Sequence, residues 1–207
     1  MMARGFIESN IVRGNRNLLV ISLVLIIIGG GLTALFGHWF PALLAAPGVI
    51  ALGFWVIRII NPKLHPVYKR LAGYGDPQQV ADQINQEFAG MKPNDKALFG
   101  TNWLAQRYVY GLHLVPWADV AWLHIYTNIR NGVRADFVRV WSRDGDQFVA
   151  PAGMSQSEAE QLLHQLCARA PWAEVGYSPE LRTLWAKRRS EFVQRVDARR
   201  ERAWSAR

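Results

Sequence analysis

The stretch "LFGHWFPAL", Leu35 to Leu43, separates two apolar runs, and its reading decides the fold. A turn inside a soluble core would need protein packed around both runs on every side. The tip of a membrane hairpin needs only lipid around them. Before it lies "LLVISLVLIIIGGGLTALFG", Leu18 to Gly37, and after it "PALLAAPGVIALGFWVIRII", Pro41 to Ile60. No charged residue occurs from Asn17 to Ile57. At about 1.5 Å per residue, either run makes a helix of about 30 Å, the thickness of a bilayer's hydrocarbon core. The remaining residues are too few, and too committed elsewhere, to surround such a pair. The sequence therefore predicts a transmembrane helical hairpin over 18–60, preceded by an N-terminal segment, 1–17.

A cleavable signal peptide is disfavoured, because the first run is long, no small-x-small cleavage site follows it, and a second run comes at once. Arg4, Arg13 and Arg16 precede the first run, while Arg58, Lys63, Lys69 and Arg70 lie at or after the end of the second. The tip carries no Lys or Arg, so the positive-inside rule places both termini in the cytoplasm. Trp39, Trp55, Arg16 and Arg58 are the expected membrane anchors. Gly29, Thr33 and Gly37, with Gly30 and Ala34 beside them, and Ala42 and Ala46 in the second run, are spaced to let two helix backbones approach closely. Packing within the hairpin is the simpler use of that spacing, dimerisation the sharper one. Pro47 is expected to kink the second helix, and no acid or base mid-span offers an ion or proton path.

Outside the hairpin the chain is polar. The formal charge of +8 resides at its two ends. Residues 61–178 carry eleven bases and eleven acids, whereas 179–207 carry nine bases against four acids. With no nucleic-acid-reading motif beside that charge, nucleic acid is not an expected partner. Cys167, the one cysteine, forms no intrachain disulfide and no multi-cysteine metal site.

Residues 61–94 read as juxtamembrane helices. "KLHPVYKRLAGYG" makes a short one, and Asp76 before Pro77, with Gln79 in the reciprocal position, caps a second that carries Val80, Ala81, Ile84 and Phe88 on one side. "GMKPND", Gly90 to Asp95, closes it as a loop. Residues 95–172 turn to Val, Tyr, Trp, Thr and Phe in short runs: "ALFGTNWLAQRYVYG", "LHLVP", "DVAWLHIYT", "DFVRVW" and "QFVAP". Asp144–Gly145 between the last two predicts a hairpin with positive φ at both central positions. An antiparallel sheet of five to seven strands follows from these runs. Ser155 and Glu158 form a capping box for a helix with Ala159, Leu162, Leu163 and Leu166 on one face. Residues 173–207 end in a single basic helix started by Ser178 and Pro179, with Leu181, Leu184, Trp185, Phe192 and Val196 along one side.

The order of a two-pass hairpin, "FGTNWLAQ", "LVPWADVAW", "VWSRDGDQFVAP" and a closing amphipathic helix resembles uncharacterised bacterial inner-membrane proteins with a cytoplasmic pleckstrin-homology-like (PH-like) domain. "HPVYKRLAGYGDP" is similar to a juxtamembrane element of one such group. The resemblance implies an α+β membrane protein whose bent antiparallel sheet is capped by a helix. It also implies a binding or scaffolding role, and it brings no catalytic residue.

A search for chemistry agrees. The histidines are scattered and form no zinc pattern. Asp144 and Asp146 fit turn chemistry better than calcium. Ser155 and Ser157 are caps, not nucleophiles. Asp119 suits a satisfied strand entry. The expectation is a non-enzymatic membrane-anchored interaction or regulatory module without cofactor, contacting membrane lipids and a protein partner or itself. Arg188, Arg189, Arg195, Arg199, Arg200, Trp117 and Trp141 are the candidate lipid or partner contacts. A lipid sensor acting through the basic helix is the alternative, and an enzyme whose site is assembled only by the fold is the third reading. Trp103, Trp117, Trp122 and Trp141 could form an exposed aromatic face, although core use is the simpler reading.

Overall fold

A computed structural model describes residues 5–37, 39, 42–61, 64–90, 97–108, 111–150 and 155–205. The expectations for Arg4, His38, Phe40, Pro41, Lys63 and the 91–95 loop lie outside these residues. The chain divides into two compact units, one of the residues up to 95 with 107–114, the other of 96–106 with 115–207. It is a mixed α+β protein with one long apolar N-terminal helix.

In the first unit, α1 (Phe6–Phe36) runs as one helix through the apolar stretch and ends at Gly37. Gly37 takes the left-handed φ of 65° and donates its N–H to the Thr33 carbonyl, closing the helix. The second helix, α2 (Ala42–Ile60), contains Pro47. The two pack antiparallel along small residues. A Cβ on Gly29 would lie 2.6 Å from the Ala45 nitrogen, and one on Gly48 would lie 2.8 Å from the Ser22 carbonyl oxygen. Ala45 and Gly48 thus occupy the seam, whereas Ala46, which the spacing had suggested, is exposed. Gly30 and Gly31 face open space. The small residues at the seam serve packing inside the hairpin, since the backbones themselves touch there.

Those contrasting surroundings make a prediction. Gly48→Leu forces the two backbones apart and is expected to destabilise the hairpin by about 1–3 kcal/mol. Gly30→Leu should leave it within about 0.5 kcal/mol. Thermal unfolding of both variants in lipid nanodiscs checks the difference.

The N-terminal segment proves to be structured. α1 begins well before the apolar run, and Ile7, Asn10 and Ile11 in its first turns are buried. They pack on α4 (Pro77–Glu87), whose Val80, Ala81 and Ile84 are buried as their spacing predicts. The Phe6 and Phe88 rings lie 4.9 Å apart, and Ile7 N–H donates to Asn85 Oδ1 at 2.8 Å. That bond satisfies one of the donors left open at a helix start. Asp76 caps α4 by accepting from the N–H groups of Gln78 and Gln79. The short α3 (Pro66–Leu71) is capped by His65.

The second unit holds most of the strands. β1 (Ala97–Phe99), β2 (Trp103–Tyr108) and β3 (Gly111–Pro116) form a three-stranded sheet in that order. β4 (Val120–Arg130), β5 (Val133–Ser142), β6 (Gln147–Val149) and β7 (Glu174–Val175) form a second sheet in the order β6-β5-β4-β7. β7 runs parallel to β4, so this sheet is mixed where an antiparallel one was expected. The β4–β5 ribbon also runs longer than expected, because Asn131 (φ 52°) and Gly132 (φ 76°) join the strands in a tight turn. An Asn-Gly pair is the strongest short hairpin signal. At the β5–β6 turn only Gly145 has positive φ, at 91°, because four residues rather than two make the connection.

α5 (Gln156–Arg169) carries the predicted capping box and packs on β4 and β5. Its Ala159 and Leu166 share a core with Leu123, Val138 and Val140 of one sheet face. The final helix is broken at Arg188 into α6 (Pro179–Lys187) and α7 (Arg189–Ser205). The break brings Leu184 and Trp185 from one half, and Phe192 and Val196 from the other, into the same core.

Candidate functional site: an aromatic cavity on the sheet

Alternation along the strands sends Trp122, His124 and Tyr126 of β4 to one face, opposite Trp141, Arg139 and Phe137 of β5. Trp122 stands at the centre of this face and is 2% exposed. Its ring centroid lies 5.9 Å from Trp185 and 5.8 Å from Phe192, the residues with which α6 and α7 cover it. Its Nε1–H donates to the Gly176 carbonyl at 2.7 Å. Trp117 and Trp172 are likewise buried, and their indole N–H groups donate to the carbonyls of Gly100 and Val120. Trp103 is buried too, so core use describes three of the four sheet tryptophans. Trp117, expected at a partner surface, belongs to this interior.

Trp141 is different. It is half-buried, and its Nε1 is enclosed without a hydrogen-bond partner among the described residues. It lines a cavity of about 730 Å³ left where α6 does not cover the sheet. His124, Tyr126, Arg139, Tyr177 and Arg182 line it as well. The Arg139 guanidinium lies over the Tyr126 ring at 3.6 Å, and Arg182 donates to the Tyr177 hydroxyl at 3.4 Å. His124 is 3% exposed. Burial, helped by the Arg139 charge, lowers its pKa to about 4, so its imidazole stays neutral at physiological pH. Sequence reasoning found only Trp141 of this group; the alternation of aromatic and basic residues in "WLHIYT" and "FVRVW" was its available signal.

The basic C-terminal residues go mostly to internal contacts. Arg199 pairs with Glu174 at 2.6 Å, Arg195 and Arg188 with Glu191 at 2.7 and 3.1 Å, and Arg200 with Asp197 at 3.4 Å. Arg189 and Arg200 also donate to the carbonyls of Asp144 and Ala118. Asp197 further accepts from Arg143 at 2.6 Å. Several of these contacts tie α7 to the sheet and its turns, so they engage side chains expected to contact lipid or a partner. Cys167 is partly buried in the α5 face, which raises its thiol pKa.

Comparison with family models, with curated proteins and with solved structures returned no match. The site is therefore read from its own geometry. Among the described residues no group of three or more His, Cys, Asp or Glu side chains is placed to hold a metal ion.

In the first unit the four residues expected to anchor the chain lie along the hairpin. Trp39 is 74% exposed beyond α1, Arg16 lies on α1, and Trp55 and Arg58 lie on α2. A smaller cavity of about 290 Å³ is bordered by Arg13, Arg16 and Arg107.

Proposed function

We propose that this chain is a two-pass inner-membrane protein, with both termini cytoplasmic, that presents a PH-like domain as a non-enzymatic interaction or regulatory module. The observation that carries the reading is the apolar belt of the hairpin. Val20, Leu23, Val24, Ile27 and Ile28 of α1 and Val49, Ile50, Phe54, Ile57 and Ile59 of α2 are exposed. Water would not tolerate so continuous an apolar surface, whereas lipid covers it at no cost. α2 has 19 residues, about 28 Å at the helical rise and enough to span. Arg13, Arg16, Arg58, Lys69 and Arg70 gather toward one end of the hairpin, which supports the proposed orientation. For the domain, the support is six strands in antiparallel runs followed by α5 on the sheet.

A surface for a protein partner is available on the β4–β5 ribbon. Beyond Thr127 this ribbon has only its two strands, and Ile129 and Val133 are about 70% exposed near its tip. The test is in-cell photo-crosslinking of the full chain with probes at Ile129 and Arg188, after membranes are washed with alkaline carbonate. Retention in the washed membranes and a discrete protein adduct at Ile129 are expected. Release by carbonate would overturn the anchor, and absence of any protein adduct at both probes would overturn the interaction role.

A further inference from the structure

We propose that the sheet cavity is a binding site for a small amphiphilic anion, a flat apolar body carrying one carboxylate or phosphate group. About 730 Å³ lies within the range of ligand pockets, about 300–1,000 Å³. Its wall is aromatic and its charge is of one sign. Among its described lining residues Arg139 and Arg182 are the only ionised side chains, and none is Asp or Glu. Among the described residues, neither guanidinium pairs with a carboxylate anywhere in the molecule. Of the neighbouring arginines, Arg143, Arg188, Arg195, Arg199 and Arg200 do, and Arg189 donates to the Asp144 carbonyl instead. Arg139 is half-buried, and its Nε is enclosed without a hydrogen-bond partner among the described residues. Withdrawing a guanidinium from water without a counter-charge is unfavourable, and a bound anion relieves it. Among the described residues the chain supplies a carboxylate for Arg195, Arg199 and Arg200 of α7 and none at this cavity.

The ligand's body follows from the rings. Trp122 stacks with Trp141 at 6.2 Å and 20°, and with Tyr177 at 6.3 Å and 10°, so three near-parallel planes form one side. A flat ring fits beside such planes better than a branched chain does. The Nδ1 of His124 is enclosed without a hydrogen-bond partner among the described residues, and the residue is almost wholly buried at the cavity wall. A neutral imidazole supplies one donor, and an anion oxygen is the acceptor it lacks.

The inference rests on reading the second unit as a binding module, and its test is separable from the crosslinking one. The full chain in zwitterionic nanodiscs is titrated by saturation-transfer NMR against naphthoate, naphthyl phosphate, naphthalenemethanol, naphthylmethylammonium and inorganic phosphate, with empty discs as the background. Both naphthyl anions are expected to bind, the neutral alcohol about tenfold more weakly, the cation not at all, and inorganic phosphate more weakly than naphthyl phosphate. Arg139→Gln and Arg182→Gln should each weaken naphthoate about tenfold, and the corresponding lysine variants less. Arg182 is exposed on α6, so its variants keep the test intact even if Arg139→Gln disturbs the sheet. Equal binding of alcohol and naphthoate, indifference to Arg182→Gln, or no binding above empty discs would overturn the proposal. A protein adduct at Ile129 without naphthoate binding removes the cavity site alone. Naphthoate binding without an adduct keeps the site and removes the partner.

Discussion

Trp122→Ala is expected to cost the second unit about 3–5 kcal/mol, the largest loss from any single truncation in it. The indole lies between the sheet and the two C-terminal helices, near Trp141, Tyr177, Trp185 and Phe192 at once. Its removal leaves a void that the paired strands cannot collapse to fill. It also leaves the Gly176 carbonyl without the indole donor. Against a typical domain stability of about 5–15 kcal/mol, that is a large fraction of the total. Tyr177→Ala takes a ring from the exposed edge of the same cluster and should cost well under half as much. Urea unfolding of the full chain in nanodiscs, followed by tryptophan fluorescence, measures both. Trp103, Trp117, Trp122, Trp141, Trp172 and Trp185 all lie in this unit, so the signal reports on it. An unchanged urea midpoint for Trp122→Ala would mean that α6 and α7 are not held by this cluster.

Acid should destabilise both units through two buried histidines. Burial, reinforced by Arg139 at His124 and by Arg58 at His65, lowers each imidazole's pKa to about 4 from the ordinary 6.5. Between those values the unfolded chain binds a proton that the folded chain refuses. Stability is therefore fully present above pH 6.5 and is lost progressively as the pH falls to 4. The loss approaches about 3 kcal/mol per histidine at most. His124→Gln should flatten the profile of the second unit over that window and leave the first unchanged, and His65→Asn should do the reverse. Fluorescence-detected urea unfolding at a series of pH values follows the second unit, and hydrogen exchange of α3 and α4 peptides follows the first. A slope over that pH window that survives His124→Gln would locate the titration elsewhere.

The parts legible in the sequence are those whose energetics are local. Hydropathy over contiguous residues marks the α1 membrane candidate, and Asp76, Ser155 and Ser178 announce their helices because a cap needs only the next three residues. Asn131–Gly132 belongs to the same class, and its turn was readable from two letters. Nothing local reveals that Phe6 starts α1. The reason for that start is Asn85 and Phe88, some eighty positions away.

By itself, then, the sequence determined an uncharged hairpin-forming stretch, capped helices, and a strand-rich region with alternating apolar faces. These follow from solvation and backbone preferences summed over neighbours. Only the tertiary structure decided which aromatics are buried in the core and which line a cavity, for Trp117 and Trp141 are the same residue type and only Trp141 reaches the cavity. It also decided that Arg199 meets Glu174 and Arg189 meets the Asp144 carbonyl, while Arg139 and Arg182 meet no carboxylate. A charge's partner is set by distance in space, and the loops that bring residues 122, 139, 177 and 182 to one wall are not encoded at any one of them.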